Sequence, residues 1–148
     1  MGKVLYWEDV TEGQEIPPLV KHPTTQQLVK YAGASGDFYQ IHYDKDFALS
    51  NGLPNVIIHG ALKNAWLAQL ITDWIGEYGT LKKLSCQYRA MDLPGDTLTA
   101  KGRVVRKYVQ DGRHYVECEI WIENSKGERT TPGAATVILP SRTNPLGV

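Results

Sequence analysis

The spacing of apolar residues along this chain changes from a helical period to a period of two at about Thr80. Val4 to Val10 reads as a short strand or an extended lead-in. Thr24 then opens a helix signal. Its hydroxyl can cap the first turn, and Gln27 three residues on completes a capping box. Leu28, Val29, Tyr31 and Ala32 supply an apolar side, and Gly33 is the stop signal. A loop follows, then a helical turn over Asp46 to Ser50 and a turn at Asn51-Gly52-Leu53-Pro54.

The strongest helix signal runs from Ala61 to Tyr78. Ala61, Leu67, Ala68, Ile71, Trp74, Ile75 and Tyr78 share one face of the wheel, and Leu62, Trp66 and Leu70 form a second apolar stripe. A helix this apolar must be covered on more than one side, by a wrapping sheet alone or together with a second subunit. Beyond it, Leu84, Cys86, Tyr88 and Ala90 alternate with polar residues, and Leu98, Ala100 and Val104 continue after Pro94-Gly95-Asp96. Val105 breaks the phase and predicts a bulge. Asp111-Gly112 predicts a hairpin before the alternation of Val116, Cys118, Ile120 and Ile122. A turn at Lys126-Gly127 precedes a last strand over Thr130 to Leu139. Pro132 suits a central ladder poorly, so that strand is expected to begin after it or to lie at an edge. Helices followed by four short-linked strands predict an α+β fold with an antiparallel meander.

Composition narrows the class. At 148 residues the chain fits one domain over 1–148, with no repeat or linker to divide it. Its 16 basic and 16 acidic side chains cancel, which argues against nucleic acid as the main partner. Cys86 and Cys118 lie in strand-like segments without metal-ligand spacing and read as small buried apolar residues. Met1 to Asp9 carries charge and lacks the apolar core of a signal peptide. The apolar run from Val56 to Tyr78 is interrupted by Lys63, Asn64, Gln69, Asp73 and Glu77, so no membrane span is expected. These features together predict a soluble cytoplasmic protein with reduced thiols.

The chemistry concentrates in Ala34-Ser35-Gly36-Asp37-Phe38-Tyr39-Gln40-Ile41-His42-Tyr43-Asp44. A carboxylate and an imidazole five residues apart on irregular chain can fold back to one point. There they can orient a water, take its proton and return a proton elsewhere. Read by spacing alone, Asp37 can equally cap the loop and His42 can be a packed histidine. His59 suits substrate contact or, more simply, packing at a helix start. Asn64, within the apolar helix, either bonds loop backbone or points into a site. Asp44 and Asp46 read as solvated or capping residues. His42, Asp44 and His59 match no metal-ligand spacing, so no metal is expected. Lys82, Lys83, Arg89, Arg103, Arg106 and Lys107 suit either phosphate binding or solvated strand faces.

The chain resembles the MaoC-like, R-specific enoyl-CoA hydratases and dehydratases of the hot-dog fold. The resemblance rests on Ser35-Gly36-Asp37 through Ile41-His42-Tyr43-Asp44, on Ala48, on His59-Gly60, and on Leu93-Pro94-Gly95-Asp96-Thr97-Leu98. It spans about Thr24 to Leu139 and implies an antiparallel sheet wrapped around a long central helix. It implies hydration of a 2-enoyl-CoA thioester, or the reverse, with Asp37 and His42 binding the water and the Gly60 N–H receiving the thioester oxyanion. One departure is plain. The family's Asn-Pro between the pair is Tyr39-Gln40 here, so Tyr39 is expected to line a different pocket.

The resemblance implies no cofactor, coenzyme A being part of the substrate. The expected partners are an acyl-CoA thioester and a second hot-dog chain, in a homodimer or a heteromer, with neither nucleic acid nor membrane. The chain also looks like the small catalytic subunits of heteromeric hydratases that act on steroid side-chain CoA thioesters. A hot-dog thioesterase would need a carboxylate near the central helix, where only Asp73 and Glu77 stand, far along it. A non-catalytic partner subunit that completes another chain's site and a non-catalytic acyl-CoA binding module are the remaining alternatives.

Overall fold

The computed structural model describes residues 3–144. Strand β1 (Glu15–Lys21) precedes helices α1 (Thr25–Ser35), α2 (Lys45–Ser50) and α3 (Gly60–Ile75), and strands β2 (Thr80–Cys86), β3 (Leu98–Gln110), β4 (Arg113–Glu123) and β5 (Arg129–Leu139) follow. The strands make one antiparallel sheet in the order β1-β3-β4-β5-β2. Helix α3 lies against it, with Leu62, Trp66, Leu67, Leu70, Ile71 and Ile75 buried. From the sheet, Val104, Val116, Ile120, Val137 and Leu139 join the same core. This is the hot-dog arrangement.

Several expectations hold at residue level. Thr24 accepts a hydrogen bond from the Gln27 N–H at 3.2 Å, and Asp44 caps α2 through the Phe47 N–H at 3.1 Å. The β3–β4 register shifts between Val104 and Arg106, where the apolar phase breaks. Asp111 (φ 52°) and Gly112 (φ 77°) both adopt positive φ, the geometry that lets a two-residue turn follow strand twist. Cys118 is buried, which pushes its thiol up to about 12, so it is a protonated core residue.

Other expectations are corrected. Of the two readings of Val4 to Val10 the strand fails and the extended lead-in holds, running into a single 3-10 turn at Trp7–Asp9. The first strand is β1, whose Pro17-Pro18 interrupts any alternation. It sits at the sheet edge, and its register shifts between Ile16 and Leu19, so the missing N–H groups break no interior ladder. Helix α1 passes through Gly33 and stops at Gly36 (φ 76°), and Val29 faces solvent. Helix α3 ends at Ile75, where Gly76 (φ 71°) turns the chain, leaving Tyr78 beyond it and exposed.

Only β3, β4 and β5 form a meander. Strand β2 pairs with β5, and residues 87–97 carry the chain across the sheet to β3. Tyr88 and Ala90 fall in this connection, outside the strand predicted for them. Pro132 lies inside β5, which is not an edge strand. Its carbonyl accepts from the Gln87 N–H, just past the end of β2. The absent Pro132 donor therefore faces a ladder that has already ended.

Candidate active site

The site is built where α1 stops. Gly36, in the left-handed conformation, reverses the chain, and its N–H bonds to the Ala32 carbonyl. The Ser35 hydroxyl accepts from the Asp37 N–H at 3.2 Å, and Asp37 Oδ1 accepts weakly from the Tyr39 N–H at 3.4 Å. These local bonds hold the carboxylate at the turn. One 3-10 turn, Gln40–His42, then directs His42 inward, where it is buried. The Ile57 N–H bonds to the Ile41 carbonyl and ties this loop to the segment leading into α3.

His42 Nδ1 lies 2.7 Å from the Ile57 carbonyl oxygen. A carbonyl can only accept, so Nδ1 carries the proton and a neutral ring presents its lone pair at Nε2. Nε2 stands 3.8 Å from Asp37 Oδ2, the one partly exposed member of the pair. Two acceptors at that separation cannot bond each other directly. Each can accept one proton from a water placed about 2.8 Å from both.

His59 caps no amide of α3 through its side chain. Instead its ring stacks on His42, with centroids 3.8 Å apart and planes 19° from parallel, and packs in a T-shaped contact with Tyr31. It is wholly buried, and neither ring nitrogen makes a well-formed hydrogen bond among the described residues. Burial holds its imidazole below the usual histidine value; nearby His42 adds to the effect, while the Asp37 backbone and carboxylate oppose it. One ring nitrogen from each of His42 and His59 and one Asp37 carboxylate oxygen fall within 4.8 Å of one another. The stacked rings set their in-plane lone pairs side by side rather than converging, and His42 Nδ1 is already engaged. That geometry suits packing better than chelation.

A cavity of about 260 Å³ opens beside His42, lined among others by His42, Gly60, Lys63, Tyr88, Arg89 and Met91. Gly60 is the first residue of α3, so its N–H has no partner within the helix. A Cβ there would stand 2.9 Å from Tyr88 Cζ, so the ring rests directly on the glycine. Half of Tyr88 is open to solvent, yet its hydroxyl end is desolvated against the Cys86 thiol, which pushes it up to about 12. It is a donor at any physiological pH.

Tyr39 is exposed, and its ring stands nearly perpendicular to those of both His42 and Phe47. Asn64 accepts from the Cys86 thiol at 3.2 Å and does not line this cavity. Arg89 alone of the six candidate cations borders the cavity. Arg103 pairs with Glu119, Arg106 stacks on Tyr108, and Lys107 covers Trp7. Sequence reasoning missed Lys63, Asp92 and Tyr88. The charge of Lys63 inside an apolar stripe was a visible signal, but nothing in the sequence ties position 63 to 92.

A family model described as MaoC like domain matches residues 10–125. The 3-oxo-4,17-pregnadiene-20-carboxyl-CoA hydratase beta subunit of Mycobacterium tuberculosis is 26% identical over 130 residues, which cover 88% of this chain and 95% of that protein. The (R)-specific enoyl-CoA hydratase of Rhodospirillum rubrum is 27% identical over 143 residues, 93% of each chain. Among solved structures, the (R)-hydratase from A. caviae involved in PHA biosynthesis superposes with a TM-score of 0.81 at 23% identity, over 90% of this chain and 99% of that one. At that identity the structural likeness is one of fold. Among the described residues, no helix is long and apolar enough to cross a membrane.

Proposed function

The chain belongs to the MaoC-like domain family, and on that premise we propose that it adds water to a 2-enoyl-CoA thioester, or runs the reverse dehydration, in the cleft between residues 37–42 and the start of α3. The observation that carries the reading is the pair of acceptors, His42 Nε2 and Asp37 Oδ2, 3.8 Å apart beside an unpartnered helix N-terminus. A water that donates one proton to each acceptor turns its oxygen lone pairs toward the cavity. As that oxygen bonds to C3, the C2–C3 π electrons move toward the thioester carbonyl. The Gly60 N–H and the positive end of α3 stabilise the enolate oxygen. One acceptor takes the water's proton, and the pair returns a proton to C2. Gly60 serves because it has no side chain between its backbone and the substrate oxygen.

A second reading is favoured by the relative named as a hydratase beta subunit. In it the chain works with another hot-dog subunit on a bulky enoyl-CoA. The exposed Phe38, Tyr39, Tyr43, Tyr88 and Met91 around the site suit a covering partner.

The test is the loss of enoyl-thioester absorbance with crotonyl-CoA and a bulkier enoyl-CoA. Asp37→Asn and His42→Ala, each checked for folding, are expected to lose about a hundredfold or more in rate. Near-native rates in both variants would refute the assignment. Release of free thiol would point to a thioesterase, and activity only with a partner chain would favour the second reading.

A further inference from the structure

Lys63 and Asp92 form a buried ion pair in the wall of the candidate site. Their side chains are 3% and 1% exposed, with Lys63 Nζ 3.1 Å from Asp92 Oδ2. Lys63 also donates to the Ala90 carbonyl at 3.2 Å, and the Thr130 hydroxyl donates to Asp92 Oδ2 at 2.6 Å. Burying such a pair costs desolvation that its attraction barely offsets, and apolar residues of similar volume usually serve stability as well. Stability alone therefore gives little reason for charges here.

The bonding leaves a proton over. An ammonium carries three, and two of those on Lys63 have acceptors among the described residues. Lys63 lies one turn beyond Gly60 on α3 and lines the same cavity as His42 and Gly60, with the Tyr88 ring centroid 5.6 Å from Nζ. Resting on the hydratase reading, we propose that Lys63 is a specificity-determining donor, holding a neutral oxygen, keto or hydroxyl, on the acyl part of the substrate beyond C3. The thioester oxygen remains with Gly60. A neutral group fits because Asp92 already balances the ammonium; an acyl carboxylate would add a second negative charge next to a carboxylate whose Oδ1 has no donor among the described residues. A plain alkyl chain would seal the Lys63 proton away from water without a partner.

The test compares binding of hexanoyl-CoA, 4-oxohexanoyl-CoA and 5-oxohexanoyl-CoA to the full chain by calorimetry, with hydration of hex-2-enoyl-CoA followed in parallel. Wild type is expected to bind at least one oxo compound about tenfold or more tightly than hexanoyl-CoA, the scale of one hydrogen bond to a charged group. Lys63→Met combined with Asp92→Leu removes both charges, so no lone buried ion is left to unfold the protein. In that variant the preference is expected to vanish. Equal binding of all three by wild type, a preference that survives in the double variant, or no binding of any would overturn the proposal. A preference for the oxo compound without hydration would uphold the donor role and sink the hydratase reading, so the two failures are distinguishable.

Discussion

Removing Lys63 alone is expected to cost the fold far more than removing Lys63 and Asp92 together. In Lys63→Met, Asp92 keeps the Thr130 hydroxyl but loses its cation, while its side chain stays sealed from solvent. A buried charge left without its partner is expensive, and breaking such a pair by removing one member costs about 3–5 kcal/mol. Equilibrium urea unfolding measures the gap to wild type. Lys63→Met with Asp92→Leu should recover most of the loss, giving strong non-additivity against the single variants. A gap below about 1 kcal/mol would show that the pair is not buried and coupled as described.

Gly133→Ala is expected to be severely destabilising, because its Cβ would meet the Ser85 carbonyl oxygen, a backbone atom of β2 that cannot swing away; loss of the cooperative thermal transition, or a large drop in its midpoint, checks this. Gly60→Ala meets only the half-open Tyr88 ring, so its thermal midpoint should change little. Its hydration rate should fall by about tenfold or more as the methyl and the displaced ring crowd the oxyanion position. His59→Leu should alter the acid side of the stability profile. Burial keeps folded His59 neutral while its unfolded form protonates, so wild type loses stability as pH falls through about 6.5 toward the lowered folded value. The variant should lack that loss in unfolding curves taken from pH 7.5 to 5.

The alternation in Val116, Cys118, Ile120 and Ile122 and the two apolar stripes of α3 were legible in the sequence because each depends only on local geometry: a period of two or 3.6 puts one set of side chains on one face. The cap at Thr24, the positive-φ turn at Asp111-Gly112 and the bulge at Val105 were legible for the same reason. Strand β1 was not, because Pro17-Pro18 erases the pattern that would reveal it, and only its place at the edge makes it possible. Partner choice was also hidden. Periodicity marks β2 as a strand but does not say that it crosses to β5 rather than pairing with β3.

The candidate site divides along the same line. By itself the sequence determined the ingredients that lie close in the chain: a carboxylate and an imidazole on one short loop, and a glycine opening an apolar helix. The chain's stiffness over a few residues confines those groups to one neighbourhood. Only the tertiary structure decided which nitrogen of His42 keeps its proton, since that depends on the carbonyl of Ile57, 15 residues away. Only it stacked His59 on His42 and laid Tyr88 on Gly60. It also joined Lys63 to Asp92 across 29 positions. These contacts arise when the sheet closes around α3 and excludes water, and a buried charge or imidazole then takes its properties from neighbours that no local pattern can name.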